Sequence, residues 1–118
     1  MKTILEKTRQ YLTTHPEAQQ IIAVQTTQGN LHFVVSYDVI SGDYREENAL
    51  FEKLQAENDT NVSCFITMWN NGCLDMCSRN FRTKLLQLNP SNLNAQTLLQ
   101  GPGVYHAKTL KQLLPPEK

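Results

Sequence analysis

Apolar side chains recur along this chain with two periods, a helical one of three to four residues and a strand-like one of two residues. The first segment has the helical period, with inward positions at Ile4, Leu5, Thr8, Tyr11 and Leu12. A residue that precedes proline disfavours the helical conformation, so His15-Pro16 is predicted to end this helix. Two strand-like runs follow, 20–27 and 31–40, and Gln28-Gly29-Asn30 between them predicts an antiparallel hairpin.

A second helix is predicted directly after the hairpin. Asp43-Tyr44-Arg45-Glu46 fits a capping box, in which Asp43 is the N-cap residue and Glu46 hydrogen-bonds back to it. The helix is expected to run to residue 55 or 56. Its buried stripe consists of Leu50, Phe51 and Leu54.

The next run, 62–69, is apolar on almost every side chain, which is typical of a central strand covered by helices on both faces. Asn70-Asn71-Gly72 predicts a tight turn after it, and a helix over 79–88 is expected to end at Asn89-Pro90. In the tail, the pattern predicts a short helix over 93–99.

An edge strand over 104–107 and a last helix that ends at Pro115-Pro116 complete the prediction. Helices that alternate with strands around one central strand are typical of an α/β protein. We therefore predict one domain over residues 1–118, a three-layer α/β/α sandwich with a mixed sheet and an N-terminal antiparallel hairpin.

Composition and charge narrow the function classes. The chain has 118 residues, 40% of them hydrophobic and 19% charged, which is the composition of one globular domain. Eleven basic and eleven acidic residues cancel, so net charge does not support a nucleic-acid partner. Arg79, Arg82 and Lys84, together with Arg45, form a local basic surface that could contact a phosphate backbone, but ordinary solvated charge is the explanation we favour.

Location is predicted from what the sequence lacks. No apolar stretch is long enough to cross a membrane, and charged residues interrupt the N-terminal segment where a signal peptide would be apolar. The three cysteines have no framework spacing, which favours reduced thiols over disulfides. We expect a cytoplasmic protein without a membrane partner.

Candidate chemistry lies in Cys73-Leu74-Asp75-Met76-Cys77, between the central strand and the next helix, with Glu46 on the preceding helix. This order resembles the cytidine-deaminase-like superfamily. In that superfamily one helix begins with His-Ala-Glu or Cys-Ala-Glu, and a strand leads into Pro-Cys-x-x-Cys at the start of the next helix. Tyr44 to Leu50 aligns with the first motif and Asn71 to Cys77 with the second, and the resemblance covers roughly residues 3–88.

The resemblance implies a cytidine-deaminase-like fold and a zinc-dependent hydrolytic deaminase of a nucleoside or nucleobase. Glu46 would shuttle protons, and Cys73 and Cys77 would bind a zinc ion that activates water. The residues implied beside the substrate are Tyr44, Arg45, Trp69 and Asn70. Two departures weaken the metal site: the spacing is Cys-x-x-x-Cys, and Tyr44 replaces the imidazole ligand with a phenol, whose pKa of about 10 makes it a poor zinc ligand.

Structural explanations compete with these roles. Glu46 is explained by the capping box, and Trp69 by a place in the core or at its rim. Cys73 and Cys77 could be small, partly buried thiols on one helical face, or a redox pair. An unrelated small α/β protein is a further alternative.

Because of the two departures, we favour a non-catalytic or divergent member of this fold, without a cofactor, that acts as a small ligand-binding or protein-interaction module. The alternative is the zinc-dependent deaminase, with zinc as its cofactor. Neither version identifies the partner, and both allow a homo-oligomer.

Overall fold

The computed structural model describes residues 2–37 and 44–114. Its elements, in chain order, are α1 (Lys2–Thr13), β1 (Gln20–Thr26), β2 (Leu31–Ser36), α2 (Arg45–Ala56), β3 (Val62–Trp69), β4 (Leu74–Asp75), α3 (Arg79–Leu88), a 3-10 helix (Pro90–Asn94), β5 (Gln96–Gln100), β6 (Tyr105–Thr109) and α4 (Leu110–Leu113). Asp43, the predicted N-cap, and the end of the predicted second strand lie outside the described residues. Within the described residues, no helix has the length and apolar character needed to cross a membrane.

All the strands belong to one mixed sheet. The strand order is β2-β1-β3-β5-β6, and the short strand β4 pairs with β3 beside this path. β1 pairs antiparallel with β2 and with β3, β5 pairs parallel with β3, and β6 pairs antiparallel with β5. The predicted mixed sheet with an N-terminal antiparallel hairpin is therefore confirmed, and β2 and β6 form its two edges.

Two apolar clusters, one on each face of the sheet, give the fold its three layers. On one face α1 covers the sheet, and the buried residues of that cluster are Ile4, Leu5, Ala23, Cys64, Ile66, Met68 and Leu74. On the other face α2, α3 and α4 pack together over β1 and β3, and the ring of Phe81 contacts those of both Phe51 and Phe65. The α/β/α sandwich follows because β1 and β3 bury apolar side chains on both faces.

The structure revises the prediction at two elements, β4 and β5. α2 begins at Arg45 with Tyr44 as its N-cap, and the Tyr44 side chain makes no cap hydrogen bond; the predicted capping box includes Asp43, which lies outside the described residues. β4 was not predicted; it pairs with β3 across the tight turn at Gly72, whose φ is 87°. The segment predicted as a helix over 93–99 is mostly β5, because Gln96 and Thr97 pair with the central strand.

Candidate functional site

The polar cluster of interest lies where α2 meets the start of α3. Glu47 is one of the few buried charged residues, with 6% of its surface exposed. It shares one face of α2 with Leu50, Phe51 and Leu54, because these residues repeat at helical spacing from it. That face packs against α3, so the carboxylate of Glu47 is carried into the helix–helix contact.

Hydrogen bonds from α3 occupy both oxygens of this carboxylate. The Ser78 hydroxyl lies 3.2 Å from Oε1 and 3.1 Å from Oε2 of Glu47, and Asn80 Nδ2 donates to Oε2 at 2.9 Å. Ser78 also caps α3, since its Oγ accepts from the backbone N–H of Phe81 at 3.1 Å. Asn80 Nδ2 reaches Asn48 Oδ1 at 3.3 Å. We call Glu47, Asn48, Ser78 and Asn80 the carboxylate–amide cluster.

Cys77 directly precedes this cluster and is buried, with 4% of its surface exposed. The pKa of its thiol is raised to about 12: burial raises it most, the positive charge of Arg82 lowers it, and the negative charge of Glu47 raises it. The thiol is therefore neutral at physiological pH. Its ordinary value is 9.0, so its contribution to stability is fully present below pH 9.0 and is lost as the pH rises through about 12.

This burial predicts a difference in thiol reactivity. Iodoacetamide at pH 8 should alkylate exposed Cys73 first, and buried Cys64 and Cys77 should react at least tenfold more slowly, because the thiolate is the nucleophile and burial raises both their pKa values. Peptide mapping over time measures all three rates. Equal labelling of Cys73 and Cys77 would contradict the closed contact between α2 and α3, and urea-unfolded protein provides the control.

The structure places Glu46, the predicted proton shuttle, on a different side of α2 from Glu47. Glu46 is exposed and lines a groove of about 460 Å³ together with Lys53, Ala49 and the edge strand β2. Successive residues of a helix point about 100° apart, so only one of the two glutamates can face α3. The side chain that does so is Glu47.

Three other predicted site residues belong to the β3–β4 hairpin. Cys73 is exposed at its turn, and its carbonyl oxygen accepts from the Trp69 backbone N–H at 2.9 Å. The indole N–H of Trp69 donates to Asp75 Oδ2 at 3.0 Å, and the Asn70 N–H donates to the Gln19 carbonyl at 2.9 Å. Cys73 and Cys77 flank β4 rather than share a helical face, since α3 begins only at Arg79.

Tyr44 and Arg45, the remaining predicted residues, lie at the start of α2 and are exposed. Within residues 2–37 and 44–114, no three side chains of His, Cys, Asp or Glu lie close enough together to hold a metal ion. His32 lies 3.9 Å from Asp59 at the hairpin end of the sheet, and Cys64 lies in the cluster under α1. The histidine and cysteine side chains are thus distributed among separate parts of the fold.

Comparison with known proteins agrees with the predicted fold. The structure superimposes on the crystal structure of the cytidine deaminase from Bacillus anthracis with a TM-score of 0.72 and 17% identity, covering 98% of this chain and 87% of that one. For the cytidine deaminase from Mycobacterium leprae the TM-score is 0.69, again with 17% identity, covering 98% and 97%. No family model and no curated protein sequence matches the chain. The chain therefore has the cytidine-deaminase-like fold, and at this identity the likeness shows the fold alone.

Sequence reasoning missed the carboxylate–amide cluster, although one signal for it was present. The predicted stripe of α2, Leu50, Phe51 and Leu54, extends backwards by one helical turn to Glu47, not to Glu46. A charged residue on the buried face of a helix indicates a partner on the facing element. The identity of that partner, Ser78 and Asn80, needed the structure.

Proposed function

We propose that this chain is a non-catalytic member of the cytidine-deaminase-like fold that acts as a binding module. One observation carries the proposal: both oxygens of Glu47 accept hydrogen bonds from Ser78 and Asn80 of the same chain. A proton shuttle must present a carboxylate oxygen to water and substrate. Here the carboxylate oxygens of Glu47 instead accept hydrogen bonds that join α2 to α3.

The proposal shifts the alignment with the superfamily motifs by one residue at the first motif. With Glu47 in the place of the motif glutamate, Arg45-Glu46-Glu47 stands where members have His-Ala-Glu. With Cys77 as the first cysteine, Asn80 stands where Cys-x-x-Cys has its second. This alignment keeps the Cys-x-x spacing and pairs the two motifs that make contact in the fold.

In this alignment the donor set does not fit zinc. A catalytic zinc ion needs three good ligands, and thiolate and imidazole are the ones that suit it. Arg45 carries a positive charge and Asn80 offers an amide, which leaves Cys77 as the one suitable donor of the three. We therefore derive no reaction step through a metal.

The alternative function is the zinc-dependent hydrolytic deaminase. The fold supports it, as does a carboxylate on α2 beside a cysteine that precedes α3. An ammonia-release assay with cytidine and added Zn²⁺ separates the two functions, and calorimetry with cytidine tests binding. Turnover that is lost in Glu47→Ala would contradict our proposal. Binding of cytidine without turnover would identify a small-ligand module. The absence of both binding and turnover would favour a protein-interaction module.

Restoring the missing donors tests the alignment itself. We expect the double variant Arg45→His, Asn80→Cys to gain about one zinc per chain, because it supplies an imidazole and a second thiol beside Cys77. Tyr44→His is the matched control, since it restores the ligand expected from the sequence together with Cys73 and Cys77, and it should gain none. Zinc content is measured after dialysis against Zn²⁺ followed by buffer. Gain of zinc in Tyr44→His alone would support the original alignment instead.

The cytoplasmic location predicted from the sequence is part of this proposal. All three cysteines are free, and two of them are buried where they have no disulfide partner. A chain with these reduced thiols suits a reducing compartment.

A further inference from the structure

The edge strand β2 lacks the devices that usually protect a sheet edge. Its six residues, Leu-His-Phe-Val-Val-Ser, include no lysine, acidic residue, proline or glycine. The opposite edge, β6, carries Lys108 and follows the turn Gly101-Pro102-Gly103. Charges and prolines protect edges from pairing, so β6 has the composition of a free edge and β2 that of a paired one.

The hairpin geometry fixes which backbone groups of β2 face outwards. The Thr26 N–H donates to the Asn30 carbonyl at 2.9 Å, which makes these two residues a hydrogen-bonded pair. Hydrogen-bonded pairs recur at every second residue of an antiparallel ladder, so Val24↔His32 and Ile22↔Val34 are also hydrogen-bonded pairs. The backbone N–H and C=O groups of the even-numbered residues of β2 therefore point towards β1. The N–H and C=O groups of Leu31, Phe33 and Val35 consequently point away from β1, on the side where no strand of residues 2–37 and 44–114 pairs with β2.

Side chains on both faces of the sheet extend this edge into a self-complementary surface. On the α1 side, Tyr11 stacks on Phe33 with ring centroids 4.1 Å apart and an interplanar angle of 8°. On the α2 side, Glu46 and Lys53 line the groove, with the small residue Ala49 between them. Glu46 and Lys53 are seven residues apart, which places them two helical turns, or about 10.5 Å, apart along α2.

We propose that β2 pairs antiparallel with β2 of a second copy of this chain, with Phe33 opposite Phe33 on a two-fold axis. Leu31 of each copy then faces Val35 of the other, and their outward backbone groups hydrogen-bond. The two-fold axis reverses the second α2, so Glu46 of one copy faces Lys53 of the other, twice. The zero net charge of the chain leaves no general repulsion between copies.

This surface is independent of the proposed function, because the carboxylate–amide cluster lies on the α3 side of α2. The partner that fits this surface is a second copy of the chain, because a two-fold symmetric contact requires a surface that is complementary to itself. The opposite charges two turns apart, the central alanine and the outward backbone of β2 each satisfy that requirement.

Charge reversal tests the interface without disturbing the core, since Glu46 and Lys53 are both exposed. Sedimentation equilibrium should show a dimer for the parent, and Glu46→Lys and Lys53→Glu should each weaken dimerisation at least tenfold. An equimolar mixture of the two variants should form a heterodimer, because both contacts are then pairs of opposite charge, one with the original polarity and one with the polarity reversed. A mixture that stays monomeric would overturn the proposal.

A backbone test addresses the strand pairing. Val35→Pro removes an outward N–H and should abolish the dimer, whereas Ala107→Pro, at the other edge, should leave it intact. Circular dichroism verifies that each proline variant is folded. If one of them is not, the test of the interface rests on the two charge variants. The proposal would be overturned if the parent sediments as a monomer at every concentration, and the partner of the β2 edge would then be another extended segment. It would also be overturned if the dimer survives all the β2 and α2 variants.

Discussion

Replacing Glu47 with alanine is expected to lower the free energy of unfolding by about 2–3 kcal/mol at neutral pH. The substitution removes the acceptor for Ser78 and Asn80, and hydrogen bonds to a charged group contribute about 1.5–3 kcal/mol each. Water that enters the part-buried contact offsets some of this loss. Urea denaturation followed by circular dichroism measures the difference.

Glu46→Ala is the matched control, one residue away on the same helix. Glu46 is exposed in the single chain, so at a protein concentration that keeps the chain monomeric we expect a change within about 0.5 kcal/mol. Glu47→Gln should have an intermediate effect, because it keeps one acceptor oxygen and turns an amide N–H₂ towards two donors. Equal losses for Glu46→Ala and Glu47→Ala would contradict the assignment of the buried carboxylate.

Asn92→Leu is expected to have the second large effect, about 2–4 kcal/mol of destabilisation. Asn92 is fully buried, and its side chain makes three hydrogen bonds: its Oδ1 accepts from the Val62 N–H at 2.8 Å, and its Nδ2 donates to the carbonyls of Thr60 at 3.0 Å and Leu85 at 2.9 Å. Leucine has the same branching but is larger, and it leaves these backbone groups unpaired, at about 1–3 kcal/mol per buried group before relaxation.

Asn94→Leu provides the control within the same 3-10 helix. Asn94 is exposed, so its loss should change the free energy of unfolding by less than about 0.5 kcal/mol. Thermal unfolding of both variants in one buffer makes the comparison. A small effect for Asn92→Leu would mean that the 3-10 helix is not needed to connect α3 with the central strand.

The sequence predicted the parts of the fold whose pattern is local. The alternation of β2, the apolar run of β3 and the helical spacing of α1 and α3 each reflect contacts that the element makes along its whole length. Gly29 and Gly72, both with positive φ, lie in turns that the sequence predicted, the first as a hairpin turn and the second as a tight turn after the central strand.

Tertiary contacts decided the parts that the sequence did not predict. The tail around Leu98 and Leu99 has apolar spacing that suits a helix or a strand, and pairing with β3 selects the strand. β4 has only two residues, too few for any period to show. Both are cases in which packing overrides a local preference.

The predicted site residue on α2 depended on the register of the motif alignment at two neighbouring glutamates, Glu46 and Glu47. The resemblance to the superfamily motif selected the first, for which a capping box was the competing structural explanation. The structure starts α2 at Arg45 and buries the second. In the structure β4 separates Cys73 from Cys77, and of the two thiols Cys77 is the one buried beside the contact between α2 and α3.

Zinc content per chain tests the central claim most directly. The protein would be purified without chelator or metal-affinity resin and compared with a Cys73→Ser, Cys77→Ser double variant by elemental mass spectrometry. A carboxylate–amide cluster in place of a metal centre predicts far less than one zinc per chain in both proteins. About one zinc per chain in the parent, lost in the double variant, would contradict it and restore the deaminase alternative.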